Sequence, residues 1–503
     1  MPMSSADRRC DPSATVFPES AMNETVTVIR SAAWVVAWDT DGARHVYQRD
    51  ADVAFSSAGI LYIGPRYSGK ATTEIPGLGL MVLPGLVDIH CHSGDEPIAK
   101  GLFEDVGTAA LWGNALYEFS ALFDSDADAK SACLVVMMGD LMRSGVTTFL
   151  DIGAPHPNWI ALAVQSGLRA YLAPGFREAA WEVVDSHRLD YRWNPAHGRE
   201  RYEGALAFID SAQSHPSGRI AAVMAPSQID TCSEALIQEA VAAARRRGIP
   251  ITIHAAQTMA EHEELLRRTG ETAPAMLDRL GVLGPDLILG HCIFLDHHGW
   301  TRHRTRDDLD RLAKSGTSVA HCPVTFARSG MTLESLGSYR RAGVTVGIGT
   351  DSYPFNMLEE VREALICSRI AGRNVFDIDT AGVFAAATIG GATALGRHDI
   401  GRLAHGTKAD FVLVDLSHPA MQPVHDPLRN LLHCAAERAV RDVYVDGKPV
   451  VGNGRVLNLD YDGAVRELQD AQKRAWRRAH DSAPLGRRLD TLAPLSLSIL
   501  PST

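Results

Sequence analysis

Residues 83–92 read LPGLVDIHCH, an apolar run that ends in two histidines. Three later apolar runs end in a similar way, at His254, His291 and Asp351. In a parallel (β/α)8 barrel the carboxyl ends of all strands meet at one mouth, so polar residues that are distant in sequence converge there. The pattern therefore predicts an α/β fold, a (β/α)8 TIM-type barrel, with a polar cluster at its mouth.

The middle of the chain, residues 83–399, supports this prediction, because apolar strand-like runs alternate there with amphipathic helical patterns. Helices are expected at 233–247, capped by Ser233, and at 307–314. Eight strands are expected, at 86–89, 146–151, 168–173 and 220–225 and in four runs that end at His254, His291, His321 and Asp351.

The two ends of the chain carry short β-type runs. These lie at 26–29, 33–38, 59–64, 409–415 and 440–451. We expect residues 23–82 and 400–460 to form one small β-sandwich. Residues 1–22 are rich in Ser, Pro and Asp and are expected to be disordered. Residues 461–503 are expected to form a helical extension and a tail.

Composition narrows the class of protein. The chain has 503 residues, 46% of them hydrophobic, and a formal net charge of -11, which argues against a nucleic-acid or anionic-membrane partner. Its eight cysteines have no regular spacing, as expected of reduced thiols. Neither an apolar signal core nor a membrane-length apolar run is present. We expect a cytoplasmic homo-oligomer that acts on a small molecule.

The His-x-His pair suits metal chelation, because on an extended strand His90 and His92 point to one face while Cys91 points away. Such a pair alone is weak support for a metal site. Its combination with three further polar strand ends is much stronger, since a buried strand has little reason to stop repeatedly at His or Asp. A metal ion bound there would lower the pKa of its bound water toward neutrality. It would also polarise a substrate carbon, and both effects are typical of a hydrolase.

The run 83–92, followed in order by His254, His291 and Gly349-Thr350-Asp351, resembles the amidohydrolase superfamily, specifically its cytosine deaminase and triazine hydrolase branch. The resemblance extends over about residues 26–457. It implies that one divalent metal is held by His90, His92, His254 and Asp351, and that His291 lies beside the metal-activated water. Zinc fits these ligands best, while iron(II), cobalt and manganese accept similar sets.

Two-metal relatives bridge their ions with a carboxylated lysine on the fourth strand, whereas residues 223–227 here read VMAPS. A mononuclear site is therefore expected. Asp351 can accept a proton from water, and His291 can hydrogen-bond the substrate oxygen or stabilise its developing charge. The alternative interpretation is that His291 is a hydrogen-bonded structural histidine with no part in the chemistry. His321 ends a strand and is expected to support the site more than to act in it.

One position departs from the deaminase pattern. Deaminases of this branch carry a glutamate three residues after the fifth-strand histidine, where this chain has Gln257. An amide cannot carry a proton between water and a leaving group, although it can orient a substrate. Glu261 and Glu263 could replace the glutamate but are expected on a helix beyond the mouth. With this departure and the segments 290–298 (GHCIFLDHH) and 320–328 (AHCPVTFAR), the chain most resembles the phenylurea and molinate (thiocarbamate) hydrolases. This resemblance implies hydrolysis of an amide, urea or carbamate-like C–N bond.

Two alternatives stay open: an aminohydrolase of an aromatic N-heterocycle, and a non-catalytic scaffold of the same fold. The mouth is expected to be lined by aromatic side chains and to accept a hydrophobic or aryl-bearing substrate. Gln257 is expected to orient that substrate. The other substrate-facing candidates are Trp112, Trp159, Phe176, Arg177, Gln228, His321, Phe326 and Tyr353.

Overall fold

The computed structural model describes residues 25–104, 106–113, 115–117, 125–184, 188–482, 489 and 493–500. The tail predicted at 1–22 and part of the C-terminal extension lie outside these residues.

Parallel strands alternate with helices in the middle of the chain, as predicted. The strands are β1 (Thr27–Asp39), β2 (Arg44–Ser56), β3 (Gly59–Gly64), β4 (Thr73–Pro76), β5 (Leu80–Pro84), β6 (Leu86–Cys91), β7 (Val146–Gly153), β8 (Arg169–Phe176), β9 (Ala179–Val184), β10 (Arg188–Trp193), β11 (Ile220–Ala222), β12 (Ala225–Pro226), β13 (Ile251–Ala255), β14 (Leu287–His291), β15 (Ser318–His321), β16 (Val346–Ile348), β17 (Phe411–Asp415), β18 (Val440–Val445), β19 (Lys448–Gly452) and β20 (Arg455–Val456).

The α-helices are α1 (Ala127–Arg143), α2 (Trp159–Ser166), α3 (Pro195–Gln213), α4 (Glu234–Arg247), α5 (Met259–Thr269), α6 (Ala273–Arg279), α7 (Asp308–Ser315), α8 (Pro323–Ala327), α9 (Leu336–Arg341), α10 (Met357–Ala371), α11 (Thr380–Ala385), α12 (Gly391–Ala394), α13 (Pro427–Asn430) and α14 (Tyr461–Ser482). The predicted helices at 233–247 and 307–314 are confirmed. The side chain of Ser233 accepts the backbone N–H of Leu236, which caps α4 as expected.

Eight parallel strand positions form the (β/α)8 barrel. One half pairs β6, β7, β8 and the fourth position, made of β11 and β12, and the other half pairs β13 to β16 in order. Parallel bridges between Met224 and Ile251 and between Cys91 and Asp351 join the two halves. The fourth strand, expected to run unbroken through 220–225, is interrupted between β11 and β12.

Both chain ends contribute to one nine-stranded sheet in the order β20-β19-β18-β17-β5-β1-β2-β3, with β4 beside β1. The N- and C-terminal parts join where β5 lies antiparallel to β17. A separate apolar cluster fills one face, and in it the rings of Phe55 and Phe411 meet edge-on at 4.8 Å. That 23–82 and 400–460 form a domain of their own remains a prediction.

Two additions flank the barrel. The antiparallel hairpin of β9 and β10 follows β8, and it is tied down because Trp181 and Tyr191 both donate to Asp230, at 3.0 and 2.8 Å. The long helix α14 packs against α1, and Arg474 donates to Asp126 at 2.8 Å. No α-helix in the described part of the chain has an apolar stretch long enough to cross a bilayer.

Candidate metal centre

Five side chains from four strand ends converge at the mouth of the barrel. His90, His254, His291 and Asp351 each offer a ligand atom, and these four atoms lie within 4.8 Å of one another. The Nε2 atom of His92 lies 3.1 Å from Nε2 of His254 and 3.3 Å from Oδ1 of Asp351. The convergence predicted from the sequence is thus confirmed, although the role of each residue as a ligand remains a prediction.

Backbone carbonyls orient two of the imidazoles. Nδ1 of His92 lies 2.8 Å from the carbonyl oxygen of Ile152, and Nδ1 of His254 lies 2.5 Å from that of Ser227. Because a carbonyl only accepts, each Nδ1 must carry the hydrogen, which leaves the Nε2 lone pair directed into the cluster. This arrangement is common for histidines that bind metals.

The remaining imidazoles lack such partners. Both ring nitrogens of His90 and of His291 are buried without a well-formed hydrogen bond among the described residues, although Nε2 of His90 lies 3.4 Å from Oδ1 of Asp351. A buried polar atom left unpaired costs about 1–3 kcal/mol, so these nitrogens fit a site that gains its partner from a bound ion or substrate. The thiol of Cys91 instead donates to the carbonyl of Leu150, away from the cluster, as expected. Three histidines and an aspartate suit zinc, and also iron(II), cobalt or manganese.

The electrostatics of the cluster favour metal ligation. Burial lowers the pKa of His90, and lowers that of His254 and His291 well below the usual value, so these imidazoles are neutral. Burial alone would raise the pKa of Asp351, but the surrounding histidines outweigh it and hold that pKa well below its usual value. His92 is the exception. Burial opposes its protonation, yet hydrogen bonding to Asp351 raises the pKa of His92 to about 9, so its Nε2 has to lose a proton before it can bind a metal.

Buried carboxylates brace the ligand-bearing strands. Asp88 accepts the backbone N–H of His90 at 3.0 Å and the hydroxyl of Thr350 at 2.7 Å, and so links the first and last barrel strands. Asp151 accepts the hydroxyl of Ser93 at 2.6 Å, immediately after His92. These contacts fix the strand ends on which the cluster depends.

The backbone at the mouth is also unusual. Ala256, His291, Cys292 and Asp351 all have positive φ, with values of 52°, 77°, 46° and 57°. Non-glycine residues rarely adopt this conformation, and such residues concentrate at active sites and ligand clamps. Four of them directly after three barrel strands indicate a functional mouth.

Gln257 lies in the loop after β13, where it is buried, and Nε2 of Gln228 approaches its Oε1 at 3.5 Å. Glu261 lies on α5, as expected. It does not face the cavity, because its carboxylate accepts the backbone N–H groups of Ala256 and Gln257 at 2.6 and 3.1 Å. Glu261 therefore holds the Gln257 loop and does not replace the missing glutamate.

A cavity of about 1010 Å³ opens over the cluster, and His92, His254, Gln257 and Asp351 lie in its wall. Of the predicted substrate-facing residues, five line it: Phe176, Arg177, Gln228, Phe326 and Tyr353. The ring of Phe326 meets that of His291 edge-on at 4.7 Å. Contact of these residues with a substrate remains a prediction.

Three predicted substrate-facing residues do not line this cavity. Trp159 is 1% exposed and donates through Nε1 to Asp151 at 2.7 Å, so its ring belongs to the core. Trp112 is 39% exposed and stacks on Trp300. His321 is buried, and burial lowers its pKa to about 3, which fits the supporting position expected of it.

Sequence reasoning did not single out Glu96 and Arg328, two of the charged residues in the cavity wall. Glu96 begins a 3₁₀ turn, Glu96–Ala99, four residues after His92. The signal that could have identified Glu96 is its place as an acidic residue in the loop that follows a strand ending in His-x-His. Arg328 follows α8, and its guanidinium lies 4.6 Å above the ring of Tyr353.

Comparison with known proteins places this geometry in context. The profile described as "Amidohydrolase family" matches residues 81–450, well over half of the chain. The chain is 29% identical over 462 residues to a 5-methylthioadenosine/S-adenosylhomocysteine deaminase of Pelotomaculum thermopropionicum, covering 87% of this chain and 96% of that protein. It is 30% identical over 403 residues to a protein of the same name from Thermococcus kodakarensis, covering 79% and 89%.

Solved structures share the fold. An adenosine deaminase from Xanthomonas campestris with bound zinc superposes with a TM-score of 0.75 at 24% identity, covering 89% of this chain and 98% of that one. A zinc complex of the atrazine chlorohydrolase TrzN from Arthrobacter aurescens gives 0.76 at 22% identity, covering 89% and 100%. The narrower resemblance to phenylurea and molinate hydrolases is not confirmed by these proteins, nor is the specific branch.

Proposed function

Since this chain belongs to the amidohydrolase family, we propose that this metal-dependent hydrolase of non-peptide C–N bonds is an aminohydrolase that releases ammonia from an adenine-type nucleoside. The observation that best supports this proposal is that relatives matching most of the chain are named for deamination of such nucleosides. This supports the alternative given by the sequence better than the amide, urea or carbamate hydrolysis expected first.

The cavity suits this substrate class. Its volume of about 1010 Å³ lies at the upper end of the range typical of small-molecule sites, large enough for a nucleoside with a 5′ substituent. Phe176, Phe326 and Tyr353 supply apolar and aromatic surface for a purine. Gln228 and Gln257 bring two amide groups to the same wall, and the buried Oε1 of Gln228 has no hydrogen-bond partner among the described residues.

The residues of the cluster divide into two roles in this proposal. His90, His92, His254 and Asp351 hold a single divalent ion, zinc by preference, which when bound supplies an activated water and a Lewis acid. His291, whose neutral ring nitrogens have no described partner, hydrogen-bonds the oxygen of the attacking water or of the product. Asp351 accepts a proton from the attacking water and returns it to the leaving nitrogen.

The second candidate, hydrolysis of a carbonyl C–N bond, is favoured by one observation. Gln257 occupies the position from which deaminases of this kind protonate the ring, and a carbonyl substrate needs no ring protonation. The predicted mononuclear site serves either reaction.

Product analysis tests the proposal. The purified enzyme is incubated with adenosine, 5′-deoxyadenosine, methylthioadenosine and S-adenosylhomocysteine, and in parallel with aryl carbamates, phenylureas and anilides. We expect ammonia and the corresponding oxo-purine nucleoside, with His254→Ala as the inactive control. Amine release from a carbonyl substrate without deamination of any nucleoside would reject the proposal in favour of the second candidate.

A further inference from the structure

The site has one unmet chemical requirement. Deamination of an aminopurine needs a proton on the ring nitrogen as water adds to the neighbouring carbon. The amide of Gln257 cannot supply that proton. Glu261 is held by two backbone N–H groups outside the cavity wall. Another acid must therefore reach the substrate.

Most carboxylates in the cavity wall are already engaged. Asp351 belongs to the metal cluster. Three others have structural partners: Asp95 accepts Ser125, Glu104 lies 3.6 Å from the guanidinium of Arg328, and Glu178 accepts the backbone N–H of Ser233 at 2.7 Å. Glu96, by contrast, has neither a hydrogen bond nor an ion pair to any residue that the structure describes, and it lines the same cavity as His92 and Asp351.

The position of Glu96 is well fixed. It is the first residue of the turn Glu96–Ala99, whose Pro97, Ile98 and Ala99 are buried. The turn is therefore anchored in the core, while the half-buried Glu96 lines the cavity.

Its electrostatic surroundings suit proton transfer. Burial, and then the charge of Asp351, raise the pKa of Glu96 to about 7. Asp95 adds to this effect, whereas His92 and Arg328 oppose it. Burial, the largest of these causes, favours the protonated carboxyl, which is the form that a proton donor needs.

We propose that Glu96 is the general acid of this active site, occupying a different strand end from the glutamate of the deaminase pattern. This inference rests on the proposed function. As the water oxygen bonds to the amino-bearing carbon, Asp351 takes one water proton, and Glu96 gives its proton to the ring nitrogen, which receives the C=N electron pair. The C–N bond then breaks with its electrons going to the amino nitrogen, which leaves as ammonia with the proton from Asp351. The remaining hydroxyl proton returns to Glu96 as the C=O bond forms.

The test compares Glu96→Gln with Glu263→Gln, an exposed residue on α5 outside the cavity wall. Glu96→Gln should lower kcat by about a hundredfold or more, with bound metal and thermal stability unchanged, as loss of a general acid does. Glu263→Gln should behave as the parent enzyme. Adding Gln257→Glu to the Glu96→Gln variant should raise kcat about tenfold above that of Glu96→Gln alone, because it places a carboxyl on the same cavity.

Three outcomes would overturn the assignment: a Glu96→Gln enzyme with near-normal kcat, a Glu96→Gln enzyme that loses its metal or its fold, or a double variant that recovers nothing. Failure of the proposed function is a separate result, since it concerns the parent enzyme on the nucleoside panel. If the parent instead cleaves a carbamate or urea, the same variants are assayed on that substrate. Glu96 would then have to protonate the leaving amine, and a normal kcat for Glu96→Gln would reject it there too.

Discussion

The two ends of the barrel bury polar groups in opposite ways. At the amino end, Arg169 at the start of β8 donates through Nε and Nη2 to Asp410, at 2.6 and 3.1 Å, and also contacts Asp446. Asp410 accepts the backbone N–H of Asp446 at 2.8 Å as well. Arg169 and Asp410 are each 2% exposed, and the contacts of Arg169 join the barrel to the terminal sheet.

At the carboxyl end the buried polar atoms outnumber their partners. The ring nitrogens of His90 and His291 and Oε1 of Gln228 are buried without a well-formed hydrogen bond among the described residues. Unpaired buried groups are costly, so a fold keeps them only where something else requires them. Burial of charge therefore does not identify a site by itself. Unpaired buried atoms also occur away from the mouth, for example Nε of Arg219 and Nε of Arg402, so incomplete pairing indicates a ligand site only where several unpaired atoms converge in one cluster, as those of His90 and His291 do.

The largest expected effect is loss of the metal. Chelation, or His254→Ala, should reduce activity below about one-thousandth, because a metal in such a site contributes several kcal/mol to the transition state. Zinc, iron(II), cobalt or manganese should restore the chelated enzyme, and the exposed His405→Ala variant should serve as the control. Elemental analysis should find one ion per chain. Two tightly held ions would contradict the mononuclear proposal.

The second-largest effect is a loss of stability, and it concerns the amino end of the barrel. Arg169→Leu leaves Asp410 buried and unpaired, and removing one partner of a buried pair costs about 3–5 kcal/mol. We expect the midpoint of denaturant unfolding to fall sharply while the folded fraction keeps its kcat and metal. Arg199→Leu is the matched control, since the Arg199–Glu239 pair is exposed and solvent screening leaves it little effect on stability. Equal losses for the two variants would refute the role given to complete pairing.

The strand ends of the barrel could be predicted because a buried parallel strand reads as an apolar run, and a polar residue at its end stands out. This is why His90, His92, His254, His291 and Asp351 were brought together correctly. The convergence depends only on strand direction, which the alternation of strand and helix already specifies.

Side-chain directions in loops could not be predicted in this way. Trp159 follows the second strand as expected, but its indole turns into the core because Asp151 accepts its N–H. Glu96 has no periodic neighbours that would reveal its orientation. The sequence predicts two β-type runs, 26–29 and 33–38, where the structure has the single long strand β1. A register shift between Ile29 and Ala32 interrupts the pattern of this strand.

A third prediction concerns His291, which lies in the cluster with unpaired ring nitrogens. His291→Asn should lower kcat by about a hundredfold, as loss of a group that moves or stabilises charge typically does, while most of the metal stays bound. Activity and metal content are measured on the same preparation, beside His254→Ala. If His291→Asn loses its metal as completely as His254→Ala does, then His291 is a ligand and its assigned role is wrong.

The smallest effect is expected at Gln257, which lies at the carboxyl end of the barrel and occupies the position of the deaminase glutamate. Gln257→Glu places a carboxyl in a buried loop that lines the same cavity as Asp351, where desolvation and like charge both raise its pKa and favour the protonated form. In an aminopurine deaminase that acid adds a second proton donor, so ammonia release should rise, by up to about tenfold if ring protonation limits the rate. In a carbonyl hydrolase the amide serves to orient the substrate, and the same change should lower amine release. One variant is therefore assayed on one aminopurine nucleoside and one carbamate. A gain on the nucleoside would support deamination, whereas a loss on both would show that the Gln228–Gln257 amide pair holds the substrate.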